Sequence, residues 1–212
     1  MWSSVGSLGN DSSGYSIQLR RFDTEGLPMG SETQVNTYTP ADQREPAVGV
    51  LSDGSFVVAW RDYDLVGEVF GIRGRRFDSQ AMAIGAEFQI NTYTTGSQTR
   101  PAIAVAEGDE FVVTWQSSAN YSWRIGGRAH AGDGSPIGEE FRVDTLETGI
   151  YLSASGVSFD GDSDFVVVWS GFGSEGTDTA ATSVQARRFK LPAIFDDGFE
   201  SGDLSPWSSN QP

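Results

Sequence analysis

The segment Asp160-Gly161-Asp162-Ser163-Asp164 places three carboxylates at alternate positions of a short turn. Such spacing can surround a hard cation with oxygen ligands, and calcium takes about six to eight of them. We therefore predict a candidate calcium site at Asp160, Asp162 and Asp164, and the sequence indicates no other cofactor. The alternative is a solvated acidic hairpin, because a trailing glycine and a distal glutamate are missing.

Aromatic side chains in the segments that vary most between the repeats described below are candidates for contact with a ligand. Variable loops at one edge of a repetitive fold are where a binding function evolves most easily. The alternative is that these rings only pack over the sheet edges. The candidates are Tyr63, Tyr121, Trp123 and Phe172.

The chain has one histidine and no cysteine, so few side chains could act as a catalytic nucleophile or bind a metal through an imidazole ring. His130 stands where other repeats carry Phe22 and Phe77, so we predict a packing position for it. No Ser-His-Asp set can be built. Glycoside hydrolysis by two carboxylates stays an open alternative, because acidic residues are abundant.

A threefold repeat of about 55 residues must position these groups. In each repeat a motif of the type Phe-Val-Val-x-Trp follows a motif of the type Val-Asn-Thr. The separation from the middle residue of the first motif in the chain to the tryptophan of the second is 24, 24 and 25 residues in the three repeats. Constant spacing of this kind indicates one supersecondary unit per repeat, stacked on its neighbours. The anchoring pairs are Asn36 and Trp60, Asn91 and Trp115, and Asp144 and Trp169.

Each repeat divides into four short segments bounded by Gly, Pro, Asp, Asn or Ser, which is typical of strands. We predict an all-β fold with essentially no helix. It comprises three tandem four-stranded antiparallel units, at about 15–69, 70–123 and 124–183, an extra strand at 184–190 and an acidic tail at 191–212. The Phe-Val-Val-x-Trp strand is apolar on both faces, which places it between two layers. This favours a β-propeller-like body, with a β-prism or β-trefoil-like body as the alternative.

Composition narrows the class of partner. The formal net charge of −15 repels phosphate backbones and anionic lipid, so neither nucleic acid nor membrane insertion is expected. No run approaches the roughly 18 apolar residues of a membrane span. The start has no signal-peptide pattern, and Trp2-Ser3-Ser4 is similar to the end of a Phe-Val-Val-x-Trp strand. We therefore expect that a further repeat precedes it.

The pattern Gly-x-Glu-Phe-x-Val-Asn-Thr, Gln-x-x-Pro-Ala-Val, Asp-Gly-x-Phe-Val-Val-x-Trp and Arg-Arg-Phe-Asp, carried by residues 14–190, resembles a tandem repeat of large secreted or surface-associated bacterial proteins. The segment from Ile194 to Trp207 resembles a short C-terminal segment of exported bacterial proteins, and also the opening of jelly-roll carbohydrate-binding domains. The resemblance implies a propeller-like fold, an extracellular or cell-surface bacterial location and no enzyme activity.

The recurring residues are core and turn residues, and no polar cluster recurs. We therefore expect a secreted, non-catalytic structural or adhesive module, not an enzyme. The alternatives are a carbohydrate-binding, lectin-like module and a glycoside hydrolase. Unpaired strand edges predict self-association as a homo-oligomer or filament, with glycans as further candidate partners. The residues expected to carry self-association are Val184, Gln185, Arg187 and Phe189.

Overall fold

The computed structural model describes residues 1–5, 9, 11, 13–64, 69–119, 122–145, 152–161, 163–172 and 182–191. These residues form strands and turns without a helix, as predicted, and accordingly no helix in the described ranges is long and apolar enough to cross a membrane. The strands are β1 Trp2–Val5, β2 Tyr15–Leu19, β3 Thr33–Gln34, β4 Gln43–Val50, β5 Phe56–Asp64, β6 Val69–Phe77, β7 Ala83–Gln89, β8 Ser97–Val105, β9 Phe111–Ala119, β10 Ser122–His130, β11 Pro136–Arg142, β12 Leu152–Phe159, β13 Asp164–Phe172 and β14 Thr182–Lys190.

The described strands form four antiparallel sheets, in which neighbours in sequence are neighbours in space. We call them sheet 1 (β1-β2-β3), sheet 2 (β4-β5-β6-β7), sheet 3 (β8-β9-β10-β11) and sheet 4 (β12-β13-β14). The prediction of three units is therefore wrong in number and in phase. Each full sheet starts at the third segment of one sequence repeat and ends at the second segment of the next. A repeat period determines the spacing of equivalent residues, but not where one sheet ends.

The Phe-Val-Val-x-Trp strand lies between two layers, as its apolar faces predicted. On β5, Val58 and Trp60 pack against sheet 1, while Val57 and Ala59 pack against sheet 3. A third cluster joins sheets 3 and 4 around Trp169. The equivalent tryptophans Trp60, Trp115 and Trp169 are 0%, 0% and 7% exposed. The hydrophobic core is thus divided among three successive sheet-to-sheet interfaces.

His130 occupies the packing position that its register predicted. Its ring is 1% exposed and stacks on Phe111, with centroids 5.0 Å apart. Phe77 stacks on Phe56 at 5.2 Å in sheet 2, in the same strand register. A histidine here replaces a phenylalanine of the repeat without altering the stacking.

An arginine repeats at each interface and links one sheet to the sheet before it. Each side chain lies on the third strand of its sheet and donates from Nη1 to a backbone carbonyl that follows the outer strand of the preceding sheet, where a charged donor makes a strong hydrogen bond. The pairs are Arg75 with Val35 (2.7 Å), Arg128 with Ile90 (3.1 Å) and Arg187 with Val143 (3.3 Å).

The predicted extra strand is an ordinary member of sheet 4. β14 pairs with β13 over nine residue pairs, from Asp164–Lys190 to Phe172–Thr182. It therefore corresponds to β6 and β10, which hold the same place in sheets 2 and 3.

β4 and β8 each contain a bulge before a proline. The register shifts between Arg44 and Ala47 in β4, and between Thr99 and Ala102 in β8. Glu45 and Arg100 have positive φ angles of 56° and 54°. Such angles are unfavourable for side chains of this size, and the repeated bulge therefore holds local backbone strain in both strands.

Candidate functional site

A pocket of about 80 Å³ with both polar and apolar walls lies at one end of sheet 2, where β5 ends, β6 begins and β7 ends. The hairpin between β5 and β6 brings the first two of these regions together, and the pairing of β6 with β7 adds the third. Its lining residues are Asp62, Val69, Phe70, Gly71, Arg73, Gln89, Asn91 and Thr94.

The pocket is built around an ion pair between a buried aspartate and a partly exposed arginine. Asp62 is 4% exposed, and its Oδ2 accepts a hydrogen bond from Nε of Arg73 at 2.7 Å. The Oδ1 atom of Asp62 is buried and has no partner with hydrogen-bond geometry among the described residues. An unsatisfied carboxylate oxygen in a pocket can accept a hydrogen bond from a ligand.

Burial raises the pKa of Asp62 above its ordinary value, because it penalises the charged form. Arg73 opposes this shift by its charge and its hydrogen bond, and the Gln43 side chain opposes it more weakly. The negative charge of Glu87 adds a small contribution in the raising direction. The result is a carboxyl group that takes up a proton more readily than an exposed aspartate does.

Neighbouring residues shape the pocket and hold Arg73. The Arg73 guanidinium carbon lies 5.6 Å from the centroid of the Tyr38 ring. Gly71 lies across from Asp62 on β6, and a Cβ there would be only 2.9 Å from Nε2 of Gln89. The absence of a side chain at Gly71 therefore keeps the wall of the pocket open.

Asn91 has mainly a structural role. Its Oδ1 accepts a hydrogen bond from the Ile72 amide at 2.7 Å, and its Nδ2 donates to the Tyr93 carbonyl at 2.9 Å. The Oδ1 atoms of Asn36 and Asp144 accept the same backbone bond in sheets 1 and 3. The recurrence of the Val-Asn-Thr phrase is explained by this bond.

The Asp62–Arg73 pair, in contrast, occurs in sheet 2 alone among the equivalent positions. Asp62 lies two residues after Trp60, and the residues two positions after Trp115 and Trp169 are Ser117 and Gly171. Arg73 pairs across the strands with Trp60, whereas the residues that pair with Trp2, Trp115 and Trp169 are uncharged. They are Gln18, Gly126 and Gln185. The fold therefore does not require this ion pair.

The sequence analysis did not predict this site because it compared polar residues that recur in every repeat. The informative feature is a charged residue at a position where the other repeats have an uncharged residue. Asp62 fits that description from the sequence alone. Its partner Arg73 does not emerge until the pairing of β5 and β6 is known.

Three of the four predicted ligand-contact aromatics lie in strands rather than loops, and each is on a different sheet. Tyr63 is in β5 and packs on Phe70 with centroids 5.0 Å apart. Trp123 is in β10, half-buried against the core between sheets 3 and 4. Phe172 ends β13 and is half exposed. Tyr121 lies outside the described residues, and ligand contact by the other three stays a prediction.

Two of the three predicted calcium ligands form ion pairs with an arginine of the same chain. Arg188 donates to Oδ2 of Asp164 at 2.8 Å, and it also pairs with Asp160. Asp162 lies outside the described residues. Within the described ranges no three acidic, histidine or cysteine side chains gather into a metal-binding group. Calcium binding at Asp160, Asp162 and Asp164 stays a prediction.

The residues predicted to carry self-association have different environments. Phe189 is buried against Phe165, and Arg187 makes the interface bond described above. Gln185 donates to Oγ of Ser183, whereas Val184 is 78% exposed. Of these four side chains, Phe189, Arg187 and Gln185 thus make contacts within the chain, and self-association stays a prediction.

Comparison with known proteins gives a likeness in structure alone. No protein-family model and no curated protein matches the sequence. One similar solved structure is a glycoside hydrolase, with a TM-score of 0.46 and 12% identity, covering 73% of this chain and 34% of that chain. Another is an endo-arabinase from Bacteroides thetaiotaomicron VPI-5482, with a TM-score of 0.41 and 11% identity, covering 84% of this chain and 66% of that chain.

Both similar structures are named as enzymes, and this finding corrects two expectations. The prediction of a non-catalytic structural or adhesive module and the prediction that the chain is not an enzyme are not retained. The chain spans about a third of the first structure and about two thirds of the second. At these TM-scores the likeness itself assigns neither a reaction nor a substrate to this chain.

Proposed function

We propose that this chain is a carbohydrate-active protein that binds a saccharide unit in the pocket of sheet 2. The observation that carries the proposal is the pairing of the buried Asp62 with the partly exposed Arg73, which opens onto a pocket and is replaced by uncharged residues in the other sheets. Burying charge is unfavourable unless something is gained from it. Binding of a ligand that both donates and accepts hydrogen bonds explains why charged groups are kept at this position.

Sugar hydroxyl groups both donate and accept hydrogen bonds, and the pocket offers both functions in fixed positions. Oδ1 of Asp62 can accept a hydrogen bond from a ligand beside the Gln43 side chain, and among the described residues Arg73 uses only its Nε atom for the ion pair. Its terminal amino groups are therefore available as donors. Fixed groups of this kind lower the entropy lost on binding.

The size and lining of the pocket also suit part of a sugar ring. A volume of about 80 Å³ exceeds the roughly 30 Å³ of one water molecule, and it accommodates a hydroxyl-bearing part of a ring. Val69 and Phe70 supply apolar surface beside the polar groups. Ligand sites commonly combine such apolar walls with a few convergent polar atoms.

Hydrolysis of a glycosidic bond is the second candidate, favoured by the raised pKa of Asp62. A carboxyl group that keeps its proton to higher pH is suited to act as a general acid. Glu87 is the nearby carboxylate whose charge contributes to that shift. It also accepts a hydrogen bond from Oγ1 of Thr37 at 2.8 Å, which fixes its position.

We also propose that the four sheets are consecutive blades of a β-propeller-like body. Successive antiparallel sheets that are apolar on both faces and packed face to face support this arrangement over a prism or trefoil. An extracellular bacterial setting, implied by the resemblance of the repeat, is part of the same proposal.

Binding to a glycan array, followed by isothermal titration with the best ligand, tests the function. The variant D62S/R73Q carries the residues that Ser117 and Gln185 supply in sheets 3 and 4, so it should fold. We expect it to weaken binding at least about tenfold, because both polar partners are lost. R76Q is the matched control, since Arg76 lies on the same strand and faces the other side of sheet 2.

Two results would contradict the proposal. One is a parent protein that binds no saccharide on the array. The other is equal affinity in the parent and in folded D62S/R73Q. Turnover of a glycoside panel by the parent, lost in D62N, would assign the hydrolytic role as well.

A further inference from the structure

A glutamate on the outer strand of one sheet binds the segment that leaves the sheet before it. In sheet 2, Oε1 of Glu87 on β7 accepts hydrogen bonds from the amide of Thr37 and from its hydroxyl at 2.8 Å, and also from the Tyr38 amide at 3.3 Å. In sheet 3, Oε2 of Glu140 on β11 accepts from the Thr92 amide at 2.7 Å and from its hydroxyl at 3.0 Å. The same contact therefore joins sheet 2 to sheet 1 and sheet 3 to sheet 2.

Among the described strands, β14 is an edge strand of sheet 4. β6 and β10 hold the equivalent places in sheets 2 and 3, and each of them pairs with a strand on both sides. In the part of the chain that the structure describes, β14 pairs with β13 alone. The backbone groups along its other side are thus offered to a further strand.

The threonine that a third contact of this kind needs is already in place. Thr145 comes three residues after β11 ends, as Thr92 comes three residues after β7 ends. The residues before them, Asp144 and Asn91, accept equivalent backbone hydrogen bonds at 2.7 Å, so both segments have the same anchor. Thr145 is exposed and makes no hydrogen bond with another described residue. Its amide and hydroxyl can therefore donate to a glutamate on an outer strand of sheet 4.

Residues 192–212, which lie outside the described part of the chain, follow β14 and contain such a glutamate. In each earlier repeat a glycine lies eight residues after the ring of the His130 register, and a glutamate follows that glycine by two residues. The sets are Phe22, Gly30 and Glu32; Phe77, Gly85 and Glu87; and His130, Gly138 and Glu140. Gly198 lies nine residues after Phe189 of the same register, and Glu200 follows it by two. The longer spacing accompanies a longer strand, because β14 runs one residue past Phe189.

The glycine of this pattern has a conformational role. Gly85 and Gly138 have φ angles of 76° and 71°, and each lies at a bulge where the outer strand shifts its register against its neighbour. Most side chains are strained at such angles, whereas glycine adopts them readily. Gly198 therefore supplies the residue type that this bulge requires, two positions before Glu200.

The chain is held on sheet 4 up to the start of this segment. Leu191 is 7% exposed, and its amide donates to the Ser163 carbonyl at 2.8 Å. The turns before β7 and β11 each take five residues, and each of these strands has seven. Residues 192–212 are long enough for a turn and a strand of these lengths.

Charge favours the same placement. β14 carries three basic residues and no acidic one, whereas residues 192–212 carry four acidic residues and no basic one. Arg188 and Lys190 already pair with Asp164. The attraction therefore assists the approach of the segment, and the glycine and glutamate positions determine its register.

We propose that residues 192–212 dock on β14 as the fourth strand of sheet 4, with Glu200 accepting hydrogen bonds from the amide and hydroxyl of Thr145. The segment has Asp203 and Leu204 where the repeats have an apolar residue followed by asparagine or aspartate, so we expect the pairing to end before Asp203. Docking closes the edge of sheet 4 against strand addition by another chain. The inference concerns sheets 3 and 4 and is independent of the saccharide pocket.

Hydrogen exchange of the full chain, measured for single amides by NMR, tests the proposal. In the parent, the Thr145 amide and the amides on both sides of β14 should be protected. In E200A, the Thr145 amide and every second amide of β14, on the side away from β13, should exchange at least about tenfold faster. D203A removes a carboxylate from the same segment and should match the parent. The Thr92 amide, bound to Glu140, is the internal reference.

Three results would overturn the proposal: rapid exchange on the outer side of β14 in the parent, equal exchange in the parent and E200A, or equal acceleration in E200A and D203A. Protection that rises with protein concentration, together with a dimer in light scattering, would assign the edge to a second copy and would overturn it as well. If E200A does not fold, E200D replaces it, because the charge remains and the side chain is too short. Unchanged exchange in E200D would likewise count against Glu200.

Discussion

Arg75 on β6 donates a hydrogen bond from Nη1 to the Val35 carbonyl, 2.7 Å away in the preceding sheet. The same contact recurs at the next two interfaces through Arg128 and Arg187. The first arginine of the repeated Arg-Arg phrase is thus an interface residue. Its role explains why this arginine is present in every repeat, whereas the second one is replaced by Ala129 after Arg128.

Replacing Arg75 with Met should lower the free energy of unfolding by about 1 to 2 kcal/mol. The aliphatic part of the side chain is kept, while a charge-assisted hydrogen bond is lost and the Val35 carbonyl is left without its donor. Urea denaturation measures the change. Arg76→Met is the control on the same strand, and an equal loss in both variants would show that the interface bond contributes nothing particular.

His130 should make the protein less stable as the solution becomes acidic. Burial lowers the pKa of His130 from 6.5 to about 4, so the folded state keeps the ring neutral while the unfolded state takes up a proton below pH 6.5. The stabilisation is complete above pH 6.5 and is lost as the pH falls towards 4. Between pH 7 and pH 5 the loss should be roughly 2 kcal/mol.

The variant His130→Phe isolates this contribution, because it restores the ring found at Phe77. We expect the stability difference between the variant and the parent to grow in favour of the variant from pH 7 to pH 5. Thermal unfolding across that range gives the measurement. A difference that is independent of pH would show that the ring is protonated in the folded state too.

Glu140→Ala should destabilise the turn after sheet 2. Oε2 of Glu140 accepts hydrogen bonds from the Thr92 amide at 2.7 Å, from the Thr92 hydroxyl at 3.0 Å and from the Tyr93 amide at 3.0 Å. The site is partly exposed, so the expected loss is about 1 kcal/mol in thermal unfolding. Glu139→Ala is the adjacent exposed control, and a loss of the same size there would contradict the assignment.

Calcium, if the sequence prediction holds, competes with Arg188 for Asp160 and Asp164. We therefore expect a calcium-dependent rise in Tm that is larger in R188Q than in the parent and absent in D162A, since a ligand of the native state stabilises by mass action. Differential scanning calorimetry with calcium or a chelator provides the comparison. Identical Tm values in both solutions, for parent and R188Q alike, would end the calcium prediction.

Several features of the fold were predictable because they depend on residues close in sequence. Alternation along β5 predicted that Val57 and Val58 face different layers, and both are fully buried. The register with Phe77 predicted a packed ring at His130. The turn residues that bound the segments in the sequence also form the tight hairpin after β4, which is closed by a hydrogen bond of 3.0 Å from the Gly54 amide to the Leu51 carbonyl.

The candidate site was not predictable because it and other contacts between charged residues depend on register across strands. Asp62 meets Arg73 after a hairpin whose length differs between repeats. Arg44 meets Arg61 only because the bulge at Glu45 shifts the pairing of β4. A shift of one residue changes every cross-strand neighbour, so alternation alone cannot predict which charges come together.

By itself, the sequence determined an all-β chain in which strands apolar on both faces recur about every 55 residues, because hydrophobic periodicity and turn chemistry act locally. The tertiary structure decided how these strands are divided among four sheets, and which polar groups meet. Asp62 and Arg73 are 11 residues apart, and Arg75 and Val35 are 40 apart. Contacts over such separations are set by strand register and by sheet packing, and these are properties of the folded chain.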